Sequence, residues 1–272
     1  NQTYLEPLNV VLNCTSPLSL TEPLGLDSDG NCTPFHGTFE GQSKTLKLSW
    51  LNDQSGAGFF CGLFNATVNN LNLESFSTSS SVSGVLSANA TGTLKLVNVH
   101  SRCNVSASYA AGGLVGSANV TDLLVEDCRY RGTIFDCKNC NGVTESLETD
   151  RYFGGLFGVV YIRGTVTFRG CEVNGEMHHE TSLGDRVFMG GLVGFLQTQS
   201  LDSESVSVSF IDCTSFIETK CATTQHCTIG GFIGIIETGN LDTDISLQGC
   251  NNSGSLSTAD VIKDVIGGFV GV

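Results

Sequence analysis

The sequence predicts an all-β protein folded as a parallel β-solenoid, and three observations carry that reading. First, a five-residue signature recurs as Gly112-Gly-Leu-Val-Gly116, Gly154-Gly-Leu-Phe-Gly158, Gly190-Gly-Leu-Val-Gly194, Gly230-Gly-Phe-Ile-Gly234 and Gly267-Gly-Phe-Val-Gly271. Counted from the second Gly of each copy, the steps are 42, 36, 40 and 37 residues. Second, the intervening segments are short, rich in β-branched and aromatic residues, and bounded by Gly, Asn, Asp or Ser, as strands are. Third, no segment sustains apolar residues at i, i+3, i+4 and i+7, so helix has no support.

Each period reads as one coil. After the signature comes an alternating segment that ends at a Cys: Leu124 to Cys128, Val166 to Cys171, Val208 to Cys213 and Ile245 to Cys250. A turn and another short strand follow, as in Cys250-Asn-Asn-Ser-Gly254 leading into Ser255-Leu-Ser257. Three short strands with turns take roughly 20–25 residues, and the rest of each period is variable loop. Such a coil cannot bury its inward face alone, so coils stack about 4.8 Å apart and equivalent apolar residues form columns. Leu114, Leu156, Leu192, Phe232 and Phe269 are expected in one column. Cys61-Gly-Leu-Phe-Asn65 reads as a degenerate first copy. Ser77 to Tyr109 lacks the signature, so an irregular coil is expected there. The chain divides into an N-terminal capping or packing segment, 1–34, and a repeat domain, 35–272, whose last coil is incomplete.

These repeats resemble the GLUG-motif family of secreted and surface-anchored proteins. In that family a Gly-Gly-Leu-Val-Gly strand precedes a strand ending in Asn-Cys and then a Gly-x-Val strand. Phe35-His-Gly-Thr-Phe-Glu-Gly-Gln-Ser-Lys-Thr-Leu-Lys-Leu48 is similar to the lead-in of such arrays, and Cys61-Gly-Leu-Phe64 with Val68-Asn-Asn-Leu-Asn-Leu73 matches a first coil. The resemblance covers roughly Phe35 to Val272. It implies a right-handed parallel β-helix and an adhesin-like or modular surface protein, and it specifies the repeat rather than an activity.

Charge narrows the function. Thirteen Lys+Arg against 27 Asp+Glu give a net charge of −14, which leaves no basic stripe to displace phosphate counterions or dock on anionic lipid. No nucleic-acid partner is expected. No run of 18 apolar residues is present, so no membrane insertion is expected either. Asn-x-Ser/Thr occurs at Asn1, Asn13, Asn31, Asn65, Asn89, Asn104, Asn119 and Asn251, about twice the roughly four that composition alone would give, and this is the N-glycosylation acceptor pattern. Together with 12 Cys, it points to a secreted, extracellular or cell-surface glycoprotein carrying N-linked glycans.

The cysteines fall into two sets. Cys128, Cys171, Cys213 and Cys250 share one repeat position, either as bridges between neighbouring coils or as an inward ladder of reduced thiols acting as small hydrophobes. The ladder is favoured, because in-register parallel neighbours hold their Cβ atoms slightly too far apart. Cys137 with Cys140, and Cys221 with Cys227, close short loops, and Cys14 with Cys32 ties down the N-terminal segment.

No cofactor or metal is implied. A glycosidase needs two carboxylates at a set separation, whereas Glu126-Asp127, Asp212 and Asp242/Asp244 read as non-equivalent positions on solvated faces. The pair His178-His179 reads as surface His, with side chains on opposite faces of one strand. Tyr152 to Ile162 and Val187 to Leu196 are apolar at both parities, so both faces of this sheet should be covered, by the N-terminal residues Tyr4, Leu5, Leu8, Val10, Val11 and Leu12 or by a second molecule. An open coil edge invites strand addition, so the last coil is expected either to continue in a longer array or to be completed by another copy of the chain, in a homopolymer with axial contacts. The residues expected to carry it are Phe153, Phe157, Tyr161, Ile266, Phe269, Val270 and Val272. The alternative is an adhesin that binds glycan or protein ligands through the loops Asp136 to Asp150 and Thr219 to Thr228.

Overall fold

The computed structural model describes residues 6–13, 18–20, 22–48, 58–136, 150–179, 186–199, 205–221, 226–238, 243–258 and 265–271, and every regular element among them is a β-strand. One repeat carries four strand segments rather than the expected three: Arg151–Gly154, Phe157–Ile162, Thr165–Arg169 and Glu172–His179. The next repeats the order as Val187–Gly190, Val193–Thr198, Val206–Ile211 and Thr214–Cys221. We refer to these as the first to fourth panels of a rung. The extra segment arises at the signature itself, where Gly154-Gly155-Leu156 bends the chain between the first and second panels. A side chain cannot fit there: a Cβ on Gly155 would stand 2.0 Å from the Gly191 carbonyl oxygen of the next rung.

Equivalent panels of successive repeats pair in parallel. Val166–Arg169 lies between Leu123–Glu126 and Val208–Ile211, and Glu172 to His178 lies between Arg129 to Phe135 and Thr214 to Lys220. The result is one curled, parallel, all-β stack, consistent with a β-solenoid. The expected column is present. Leu114 N–H donates to Leu156 O, Leu156 to Leu192, Leu192 to Phe232 and Phe232 to Phe269, at 2.8–2.9 Å. All but Phe269 are fully buried. A second column runs through the third panel as Phe39, Val68, Leu96, Val125, Phe168 and Phe210. The Phe168 and Phe210 rings there stack with centroids 4.9 Å apart. Each such side chain contributes about 1.5–3 kcal/mol by leaving water.

The early rungs differ from the sequence reading. Ser77 to Tyr109 is strand rather than unpaired coil, though its pairing is irregular, with register shifts at Glu74/Ser77, Ser80/Val82 and Gly92/Leu94: Ser87–Gly112 is a continuous strand paired with Leu63–Gly84 on one side and with Val115 to Glu126 on the other. Its copy of the signature is Gly84-Val-Leu-Ser-Ala88, with Gly84 opposite Gly112 and Leu86 N–H bonded to Leu114 O. Cys61-Gly-Leu-Phe-Asn65 is correspondingly out of phase. Leu63 pairs with Ala90, which pairs with Ala118, four residues past the place of Leu114. The described N-terminal strands do not lie over Tyr152 to Ile162, and Tyr4 and Leu5 lie outside the described residues. Leu8–Val11 adds to the edge of Gly37 to Glu40 and Leu18–Leu20 to Leu46 to Leu48, as a partial first rung.

The apolar outer face near the signature is covered by its own bend. Because the chain folds at Gly154-Gly155, outward side chains of the first two panels meet. Tyr152 stacks on Phe188 at 5.4 Å and packs against Phe195 at 4.7 Å and Tyr109 at 5.5 Å, with Val159 buried among them. This external cluster explains the apolar residues at both parities without an added layer.

Between the third and fourth panels the rungs turn through left-handed residues: Gln42 and Ser43 in the first, then Asn70, Asn98, Asp127, Gly170, Asp212 and Gly249, with φ between 51° and 65°. From Asn70 on these are Asn, Asp and Gly, the residues that best tolerate this conformation. Asn98 also donates from Nδ2 to Asn70 Oδ1 at 2.8 Å. The opening between the fourth and first panels is tied differently on different rungs. The buried Asp136 carboxylate pairs with Arg151 and lies 3.1 Å from Nδ1 of the buried His179. Two rungs on, Cys221–Cys227 is a disulfide across the same opening.

Candidate functional site

The catalytic alternatives resolve into structure. Asp127 and Asp212 are equivalent after all, a correction to the sequence reading: both are left-handed bend residues, separated by the rung of Gly170. Two strand spacings put them about 10 Å apart on the stack. Glu126 forms an exposed ion pair with Arg169 at 3.4 Å, and Asp244 is exposed, while Asp242 lies outside the described residues. His178 is half-buried and meets Glu176 at 2.7 Å, an interaction that holds the Glu176 carboxyl below its ordinary range. His179, expected at the surface, is buried beside Asp136, because its inward position ends the fourth panel. Among the described residues no group of three His, Cys, Asp or Glu is placed to hold a metal ion.

Comparison with family models, curated proteins and solved structures finds no match. Function is therefore argued from surface chemistry.

Asn13, Asn31, Asn65, Asn89, Asn104, Asn119 and Asn251 are all exposed, while Asn1 lies outside the described residues. Of the described Asn outside a sequon, only Asn9 is exposed; Asn69, Asn70, Asn72, Asn98, Asn174 and Asn252 are half-buried in the ladders. The described sequons thus fall at solvent-exposed Asn side chains. At Asn65 and Asn104 the side-chain oxygen accepts a backbone N–H of the next rung, from Thr93 at 2.9 Å and Thr133 at 3.0 Å. That contact leaves the nitrogen that carries a glycan unused by it. Asn31 instead donates Nδ2 to Asp27 at 3.1 Å, and its contacts hold the Asp27 carboxyl low.

Cys32 is bonded to Cys61, not to Cys14. The pair has its Cα atoms 5.6 Å apart, which joins the turn before Phe35 to the first full rung. Cys221–Cys227 is the expected loop closure. Cys14, Cys137 and Cys140 lie outside the described residues. Cys128, Cys171, Cys213 and Cys250 are free thiols. The same column begins with the buried Leu71 and Val99, so the thiols occupy places that hydrocarbon fills elsewhere. Burial pushes Cys128 up to about 12. A thiol–thiol hydrogen bond with Cys213, followed by burial, raises Cys171, and the same bond lowers Cys213.

The expected association residues separate. Phe153 and Phe157 are fully buried: the bend turns both inward, and they are core. Tyr161 is half-buried against Phe195 in the external cluster. Ile266 and Phe269 are exposed at the last described rung, at 50% and 42%, with Val270 half-buried beside them. Val272 lies outside the described residues. Among the described residues, eight of the ten exposed large apolar side chains sit at the two ends of the stack: Leu8, Val10, Val11 and Leu24 at one, Leu247, Val265, Ile266 and Phe269 at the other. The described residues of the long sides carry Phe135 and Phe216.

Proposed function

We propose that this chain is an extracellular, glycosylated, non-enzymatic structural protein of the GLUG-repeat kind, a right-handed β-helix whose copies associate end to end into a fibre or surface coat. The observation that carries the reading is the placement of exposed apolar surface. The positions occupied by Ile266 and Phe269 are fully buried one rung earlier, as Ile229 and Phe232, so a further rung is what they fit. Strand addition by a neighbouring copy supplies such a rung, with its unpaired backbone groups. Glycans on the exposed sequons would shield the sides against lateral contact and leave the axis as the accessible direction. Two disulfides suit an oxidising compartment, and among the described residues no helix is long and apolar enough to cross a membrane.

Sedimentation velocity across a concentration series, with electron microscopy of the same samples, tests the reading. Mass growth along one dimension, suppressed by Ile266→Asp with Phe269→Asp, is the expected result. Monomers at every concentration, or association indifferent to both substitutions, would overturn it. If the covering rung is the chain's own continuation, a longer expressed chain will bury Phe269 and stay monomeric.

A further inference from the structure

The fourth panel carries a groove of about 280 Å³ whose outward residues come from neighbouring rungs. His100 and Arg102 stand on one rung and Arg129 and Arg131 on the next, with His100 opposite Arg129 and Ser101 opposite Tyr130. Arg102 and Arg131 therefore leave the sheet side by side, one strand spacing apart, about 4.8 Å. The chain has seven Arg and a net charge of −14, and three of those Arg converge here. Arg102 and Arg131 are exposed and form no ion pair among the described residues. Glu74 stands opposite Arg102 on the preceding rung without reaching pairing distance. Arg129 meets Glu172 loosely, at 3.8 Å with its side chain 61% exposed.

Like charges directly opposite across a strand pair destabilise it, so two stacked guanidiniums that the groove's own carboxylates, Glu74 and Glu172, do not pair ask for an anion between them. Guanidinium presents a planar fork of donors that matches carboxylate and sulfate oxygens in pairs. A compact phosphate alone would fill little of the groove's length, which runs over several rungs from Asn72 to Asn174. We propose that this groove is a binding site for an acidic saccharide chain, with its carboxylate or sulfate groups held by Arg102 and Arg131 and steadied by Arg129, and its hydroxyls facing the Asn174 amide. The inference goes beyond the end-to-end reading and does not depend on it, since the groove lies on the side of a single copy.

The glycoprotein is titrated calorimetrically with a sulfated oligosaccharide, a uronate oligosaccharide, neutral dextran oligomers and inorganic sulfate. The expected result is saturable binding of one or both acidic oligosaccharides. That binding weakens at least tenfold in R102Q/R131Q and is unchanged in R163Q, which removes an exposed Arg outside the groove. The two acidic arms tell sulfate from carboxylate recognition. Binding of dextran as tightly as either acidic chain, binding of inorganic sulfate alone, no binding at all, or equal loss in R163Q would each overturn the proposal. Circular dichroism of both variants excludes misfolding, and sedimentation of R102Q/R131Q keeps the outcome separate from that of end-to-end association.

Discussion

Phe232 and Phe269 offer a matched pair on which the stacking argument can fail. They are the same residue type, on adjacent rungs of one column, with ring centroids 5.3 Å apart and backbones joined by a 2.8 Å hydrogen bond. Phe232 is fully buried and also meets the Phe210 ring at 6.2 Å, whereas Phe269 is 42% exposed. Phe232→Ala removes a core ring and leaves a cavity that its backbone neighbours cannot close, which costs about 3–5 kcal/mol. For Phe269→Ala no closed cavity forms, and scaling the ~1.5–3 kcal/mol of a fully buried ring by its buried share gives about 1–2 kcal/mol. Urea unfolding at low micromolar concentration, followed by far-ultraviolet circular dichroism, measures both, with unchanged m-values as the check on comparable transitions. Equal costs for the two substitutions would refute the placement of Phe269 on an open rung. Under end-to-end association the cost of Phe269→Ala should also climb with protein concentration, while that of Phe232→Ala should not.

Gly191→Ala should destabilise by at least about 3 kcal/mol, because its Cβ would lie 1.9 Å from Gly231 O and backbone must move; thermal unfolding reads this. Asp136→Asn and Arg151→Met should each destabilise by about 3–5 kcal/mol by breaking a buried ion pair, with Arg151→Met at the lower end because His179 stays 3.1 Å from the Asp136 carboxylate, and replacing both with apolar residues should cost less than the sum of the two, as a double-mutant cycle would show. Under native conditions near pH 8, iodoacetamide should label the half-buried Cys250 well before Cys128, whose thiol sits at about 12, and mass spectrometry before and after unfolding reports the order. His100 is held below its ordinary range, chiefly by desolvation and also by the Arg129 charge, against the Asp127 backbone contact and the Asp127 and Glu172 charges. The folded state therefore binds this proton less readily than the unfolded chain. Stability should fall as pH drops below about 6.5 and level off beneath the depressed value, and His100→Asn should flatten that part of the profile.

The Gly-Gly pairs made the rung and its inward column legible, because a residue forbidden a side chain by the neighbouring rung recurs wherever rungs stack. Where other residues meet the same demand the signal fades. Gly84-Val-Leu-Ser-Ala88 keeps only one of three signature glycines, so its rung passed as irregular and Cys61-Gly-Leu-Phe-Asn65 was placed four residues out of phase. Phe153 and Phe157 read as outward because each lies an odd number of residues from the inward Leu156, and that alternation does not survive the bend at Gly154-Gly155-Leu156, where Phe153, Leu156 and Phe157 are all buried. The Asp127, Gly170, Asp212 and Gly249 corners each stand just before a column Cys, so their equivalence was readable in the sequence, but they share a left-handed backbone rather than a side-chain chemistry, and that shared demand shows in φ. The Arg groove had a readable signal, Arg129-Tyr-Arg131 just after the Cys128 corner, but recognising Arg102 as its neighbour needed the rung that the sequence concealed.

The crossing between the fourth and first panels has a consequence for how such a chain can diversify. Intervals of very different length, 137–149, 180–185 and 222–225, connect the same two panels on successive rungs. Where Asp136 meets Arg151, or Cys221 is joined to Cys227, the rung is clasped at the base of its insert. Peptide added beyond the clasp lengthens a closed loop, whose entropic cost grows only logarithmically, and leaves the pairing beneath it unchanged. One margin of the protein is thereby free to vary in length and wording while the remainder keeps time, which makes it the natural place to graft a foreign epitope.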